Sequence, residues 1–377
     1  MSNTVGHFVS NYLPLTQTFI YQYITHHNRY EPFVCGTFSE NLDVFEFEPR
    51  EIFMELPRWS PRFWTYGILA KLGILGINET FYSRVITRRN PDILHAHFGP
   101  VGVDLTSHLN PNRKLVTSFY GYDASQLVEA DKEIRANYRE LFERGDLFLV
   151  EGPAMQEKLL DLGCPESKTA IQRIAIDMSR ISPKYPTEDD PLRVLMVGRF
   201  VEKKGLPDGI KAFAEAFRGS DAELRIVGGD AEYGRGRLEH VADSVGVRDQ
   251  VTFTGYLDYD SYLAEVNQCS LLLAPSKRAE SGDSEGGAPT VLLEAQATGK
   301  PVVATTHADI PYVVEDGETG ILASPGNVSE LASALRQCVT DHERMIQLGQ
   351  SGVQRMENRH SITELAPSLE EKYDQIR

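Results

Sequence analysis

Strand-like and helix-like segments alternate along nearly the whole of this chain, and that alternation restricts it to parallel α/β layers. In the first half, Val5–Val9, Pro32–Thr37, Asp92–His97, Lys114–Phe119, Asp146–Val150 and Ala170–Ile174 read as strands. Thr18–His26, Ile134–Arg144 and Ala154–Leu162 read as helices. In the second half the strands are Arg193–Val197, Glu223–Val227, Val251–Thr254, Leu271–Ala274, Pro301–Ala304 and Gly320–Ala323. After the first of these, Ile210, Phe213, Ala214 and Phe217 fall at i, i+3, i+4 and i+7, the apolar face of a helix.

A length of 377 residues suits two domains rather than one. Between the halves, Ser182 to Pro191 holds three prolines and an acidic run, the composition of a linker. The expected division is an N-terminal α/β domain at 1–188, a second α/β domain at 189–358, and a final helix at 359–377. Two such Rossmann-like units would face a shared cleft and hold ligands at the C-terminal ends of their strands.

Composition removes several classes of function. A net charge of −16 leaves no basic surface for nucleic acid. The four cysteines, Cys35, Cys164, Cys269 and Cys338, are widely spaced, with no zinc-ligand pattern, and read as reduced thiols of a cytoplasmic protein. No basic n-region with an apolar run opens the chain, and no stretch of about 18 uncharged apolar residues occurs. One segment departs from the acidic average. Between Pro57 and Asn90 lie six basic residues, including Arg58 and Arg62, together with Trp59, Trp64, Phe81 and Tyr82. Such a segment either meets an anionic membrane surface, at the inner face of the membrane, or forms core and cleft wall.

Two motifs in the second half carry the chemistry. Gly198, Arg199 and Lys204 follow a strand of apolar residues. The glycine permits a sharp turn, and the two cations suit phosphate oxygens. Downstream, Asp283-Ser284-Glu285-Gly286-Gly287-Ala288-Pro289-Thr290 leads into a helix that carries Glu294. Proline favours a helix start, where free N–H groups donate to an anion. Fixed cations and open N–H groups suit a diphosphate, and carboxylates suit sugar hydroxyls.

The order and spacing of these motifs resemble family 4 glycosyltransferases of the GT-B fold. The resemblance is good over residues 90–325, loose over the first 80, and extends to enzymes that build polysaccharides and lipid-linked oligosaccharides of the colanic-acid type. It implies a retaining transfer of a sugar from a UDP- or GDP-sugar to a glycan or lipid-linked glycan. No cofactor and no metal are implied, since Arg199 and Lys204 stand in for a divalent ion. The leaving diphosphate would itself assist the incoming hydroxyl. Glu294 would hold the ribose and Glu285 the transferred sugar, with Gly198, Gly286, Gly287, Ala288, Pro289 and Thr290 completing the donor site. The family spaces the two glutamates by eight positions; here they are nine apart, with Gly286 at eight and Asp283 as a nearby substitute for Glu285.

On the acceptor side, the resemblance points to Tyr120, Asp123 and His97. Relatives often carry a histidine where Tyr120 stands, and a phenol cannot be cationic near neutral pH. Asp123 reads equally as a turn residue. His95 and His97 point to one face of their strand. With no third ligand apparent, they read as hydrogen-bonded residues and not as a metal site. A sugar-nucleotide epimerase and a non-catalytic sugar-nucleotide-binding protein are the alternative readings.

Overall fold

The computed structural model describes residues 3–14, 17–56 and 77–377. The chain gathers into two compact units, residues 1–175 with 362–377, and residues 176–361. The first contains strands β1 (Asn3–Tyr12), β2 (Tyr30–Ser39), β3 (Arg50–Ile52), β4 (Ile93–His97), β5 (Lys114–Ser118), β6 (Leu147–Val150) and β7 (Thr169–Ile171). They form one parallel sheet in the order β3-β2-β1-β4-β5-β6-β7. The second contains β8 (Arg193–Val197), β9 (Glu223–Val227), β10 (Val251–Gly255), β11 (Leu271–Ala274), β12 (Val302–Thr305) and β13 (Gly320–Ala323). Their order is β10-β9-β8-β11-β12-β13, again all parallel.

Parallel strands need crossover connections, so helices cover both faces and the strands read as continuous apolar runs. Leu271–Ala274 is buried at every position. In the first unit, Phe8, Leu94, Ala96 and Phe148 pack on one face against Tyr138 and Leu141 of helix Lys132–Arg144. Val5, Ile93, Val116 and Leu149 turn to the other face and meet Ile362, Leu365, Leu369 and Tyr373. That alternation is why the final helix, Ile362–Ile376, lies on the first sheet. In the second unit, Ile210, Phe213 and Phe217 of helix Leu206–Phe217 join Val194, Met196 and Leu273 in one core. All four cysteines are buried free thiols.

Every strand expected from the sequence is present. β3 was not expected: it is a charged three-residue strand on the edge of β2. Residues 57–76 of the basic, aromatic segment lie outside the described residues. Its remainder forms helix Ile77–Arg89, where Phe81 and Tyr82 are core residues and Arg88 and Arg89 pair with Glu51.

Both sheets reverse their strand order once, between β1 and β4 and between β8 and β11. Such a reversal opens a crevice beyond the C-terminal strand ends, the usual ligand position in open α/β sheets.

Candidate active site

In the second unit, the loops after β8 and β11 flank the reversal. After Val197 the chain turns at Gly198, passes Arg199 and makes a short turn over Glu202–Lys204. Gly205 ends that turn at φ 62°, where a Cβ would lie 1.9 Å from the Pro275 carbonyl oxygen. Only glycine allows this approach. It locks the β8 loop against the chain leaving β11 and so brings the two sequence motifs together.

Lys204 Nζ lies 2.8 Å from Glu285 Oε1. Ser276 Oγ donates to the same carboxylate at 2.9 Å. Burial pushes the Glu285 carboxyl up, but the ammonium groups of Lys204 and Lys203 and the Lys204 and Ser276 hydrogen bonds hold it below its ordinary value. Sequence reasoning passed over Lys203. It is buried and donates to Asp283 Oδ1 at 3.0 Å and to the Ser284 carbonyl at 3.1 Å. Asp283 is thereby engaged as an anchor of the loop, and Glu285 is the carboxylate beside Lys204. The signal for Lys203 was its adjacency to Lys204; nothing in the sequence shows which of the two turns inward. Arg199 is exposed and makes no ion pair among the described residues.

Gly286 and Gly287 carry the chain to Ala288, Pro289 and Thr290, the start of helix Thr290–Ala297. No side chain caps that start. Its first N–H groups are therefore open to an anion, and the helix dipole adds to the attraction. One turn on, Glu294 accepts a hydrogen bond from Tyr262. Burial pushes Glu294 up to about 7, and the Tyr262 bond offsets only part of that shift.

In the first unit, His97 ends β4, and Tyr120 and Asp123 follow β5. Asp123 is buried, and its oxygens accept from the backbone N–H groups of Gly99, Tyr120 and Gly121 at 2.9, 3.0 and 3.0 Å. Burial raises it to about 6 against the pull of those N–H groups. It organises the turn. The Tyr120 hydroxyl is 2.8 Å from His97 Nδ1.

The expectation that His95 and His97 stand without a third imidazole is corrected. β1 pairs with β4 in a register that sets His7 beside His95, on the same face. His7, His95 and His97 each offer a ring nitrogen within 4.8 Å of the others. Those nitrogens are already bonded. His95 uses both of its own, to Ser118 Oγ at 2.7 Å and the Tyr373 hydroxyl at 2.6 Å. His7 Nδ1 meets His97 Nε2 at 3.0 Å. Burial lowers all three, so they are neutral at physiological pH.

Two parallel sheets of this kind, with cations and paired carboxylates after the switch-point strands of the second, define a GT-B fold. Solved structures share it: sucrose-phosphate synthase from Thermosynechococcus elongatus aligns over 99% of this chain and 98% of its own, with TM-score 0.75 and 20% identity. HepE of Anabaena, in complex with UDP and glucose, aligns over 99% and 100%, with TM-score 0.77 and 18% identity. Residues 177–355 match the family described as glycosyl transferases group 1. Residues 177–355 thus form a group 1 glycosyltransferase domain. It is 34% identical over 258 residues to the putative colanic acid biosynthesis glycosyltransferase WcaL of Escherichia coli K12, covering 67% of this chain and 62% of that protein. It is also 34% identical over 259 residues to the amylovoran biosynthesis glycosyltransferase AmsK of Erwinia amylovora, covering 65% and 60%. The chain spans about six-tenths of the length of these relatives.

Proposed function

We propose that this protein transfers a sugar, with retention at the anomeric carbon, from a nucleoside diphosphate sugar to a growing surface glycan. The observation that carries this reading is the Lys204–Glu285 pair beside the uncapped helix start at Thr290, with Arg199 exposed at the mouth of the same loop. The diphosphate takes the open N–H groups and the two cations. As the glycosidic bond breaks, negative charge grows on the departing diphosphate. Arg199 and Lys204 neutralise it and take the place of a divalent ion. Glu285 accepts from the transferred sugar and keeps the Lys204 ammonium aimed. Glu294 exchanges its Tyr262 contact for the ribose hydroxyls.

The donor is a UDP- or GDP-sugar; HepE, which shares the fold, was solved with UDP and glucose. The acceptor is a glycan or lipid-linked glycan, in line with the exopolysaccharide relatives. Among the described residues no helix is long and apolar enough to cross a membrane. Contact with an anionic bilayer would fall to residues 57–90, on the strength of their charge and indole content.

A thermal-shift panel of UDP-, GDP- and ADP-sugars tests the donor site. A ligand that binds only the folded state raises the melting temperature. A selective rise with one nucleotide supports the reading; no rise with any of them opposes it. Release of nucleoside diphosphate then separates a transferase from an epimerase, which returns its sugar nucleotide intact.

A further inference from the structure

The face of the first sheet beneath the C-terminal helix holds an unbroken line of hydrogen bonds. It runs from the Tyr120 hydroxyl to His97 Nδ1 at 2.8 Å, and from His97 Nε2 to His7 Nδ1 at 3.0 Å. It continues from His7 Nε2 to His27 Nε2 at 3.0 Å, and from His27 Nδ1 to Glu370 Oε1 at 3.2 Å. Every ring nitrogen of three imidazoles is used once. The line has one direction. Glu370 also accepts the backbone N–H groups of Asn28 and Arg29 and the Arg29 side chain, so it is an acceptor only. Against burial, the His27 hydrogen bond and the backbone N–H groups of Arg29 and Asn28 hold its carboxyl at about 2.

An ionised Glu370 requires the proton of neutral His27 on Nδ1. His27 Nε2 must then accept from His7 Nε2–H, His7 Nδ1 from His97 Nε2–H, and His97 Nδ1 from the Tyr120 O–H. The carboxylate at one end thus sets all three tautomers, a stricter order than packing would need. At the other end, Tyr120, His97, Tyr23, Glu151, Gln172 and Arg173 line a pocket in this unit.

We propose that Tyr120, His97, His7, His27 and Glu370 form a proton relay that receives the proton of a sugar hydroxyl docked in this pocket. The proposal rests on the glycosyltransferase reading. It supplies a proton acceptor made of side chains, where the sequence alone pointed only to the leaving diphosphate. The acceptor O–H bond breaks and its proton joins the Tyr120 oxygen as the phenolic proton moves to His97 Nδ1. His97 passes its Nε2 proton to His7 Nδ1, and His7 passes its own to His27 Nε2. One proton has moved in. The chain ends with an imidazolium at His27 against the Glu370 carboxylate and an alkoxide free to attack the anomeric carbon. The tautomers of His97 and His7 have reversed, and His27 carries a proton on both nitrogens.

The surroundings favour that end point. Tyr23, Tyr30 and Tyr373 stay neutral because burial raises them. His95 is bonded to Ser118 and Tyr373 and lies to the side of the chain. Charged groups nearby are Asp123, Glu151 and Arg173 at the Tyr120 end and Arg29, Asp374 and Arg377 at the Glu370 end. Burial and imidazole neighbours disfavour a cation on His7 or His97, so it comes to rest on His27.

Nitrogen-15 histidine spectra of the full chain, assigned with single His→Gln variants, read the tautomers without any substrate. At pH 8 we expect Nε2–H on His7 and His97 and Nδ1–H on His27. The opposite tautomers at pH 8 overturn the relay. So does stoichiometric Zn²⁺ uptake that His7→Gln abolishes. With a turned-over donor, Tyr120→Phe and Glu370→Gln should each lower kcat by about 10²–10⁴-fold with donor KM unchanged. Tyr373→Phe, which removes a bond only from His95, should keep kcat. Normal kcat in Tyr120→Phe overturns the relay. A wild-type protein that turns over no sugar nucleotide counts against the glycosyltransferase reading, and the tautomers then decide the relay by themselves.

Discussion

Lys204 Nζ and Glu285 Oε1, from loops that leave different strands of the second sheet, are 2.8 Å apart, and the glutamate is the more buried of the two, 8% exposed against 18%. The pair therefore has a structural part and a catalytic part that mutation can separate. Lys204→Ala leaves a buried carboxylate short of its nearest cation. We expect a loss of about 3 kcal/mol in urea unfolding and a fall in kcat of about 10²–10³-fold. Replacing Lys204 by Met and Glu285 by Gln together should restore most of the stability and none of the turnover. Recovery of both would leave the pair a structural clasp.

Arg199 offers the contrast. It is exposed and makes no ion pair among the described residues, so Arg199→Ala should change stability by less than about 0.5 kcal/mol. It should still weaken UDP or GDP binding and lower turnover. Unchanged binding by calorimetry would remove it from the diphosphate site.

Glu294 makes the second unit sensitive to pH. Its carboxyl is pushed up to about 7 by burial, well above the roughly 4.3 of an unfolded chain. Between these values the folded state holds a proton that the unfolded state has lost. Its contribution to stability is therefore full below about 4.3 and lost as pH rises through about 7. Glu294→Gln should gain melting temperature over wild type from pH 5 to pH 8, with a limit of about 4 kcal/mol. Ribose hydroxyls favour the carboxylate, so nucleoside diphosphate binding near pH 6.5 should release a proton in wild type and not in the variant. Calorimetry in buffers of different ionisation enthalpy measures that proton.

Much of the fold was legible because parallel strands buried on both faces announce themselves as short apolar runs. β3 was not, since Arg50-Glu51-Ile52 is brief, charged and held only by its edge pairing with β2. The donor motifs were legible because glycine, cation and carboxylate lie close together in sequence. The histidine chain was not. His7, His27 and Glu370 are far from His97 in sequence, and only the β1–β4 register and the returning C-terminal helix bring them into line. Lys203 against Lys204 illustrates the same limit at one-residue scale: the turn that ends at Gly205 decides which ammonium enters the core.

Residues 57–90 invite a test at the membrane. If this segment meets anionic lipid, the protein should co-sediment with phosphatidylserine vesicles at low salt and leave them as ionic strength rises. Combined replacement of Arg58, Trp59, Arg62 and Trp64 should abolish that binding. No sedimentation at low salt would assign the whole segment to the core role that Phe81 and Tyr82 already have.

The central claim is that fixed cations of the second unit drive departure of a nucleoside diphosphate from a sugar. The most direct measurement follows radiolabelled UDP- and GDP-sugars with a glycan acceptor in the presence of EDTA, for wild type and for Arg199→Ala. The account predicts metal-independent transfer of label to the glycan by wild type, with stoichiometric release of nucleoside diphosphate, and a fall of about 10²–10³-fold in the variant. Transfer that stops in EDTA and returns with a divalent ion, or that is undiminished in Arg199→Ala, would contradict it.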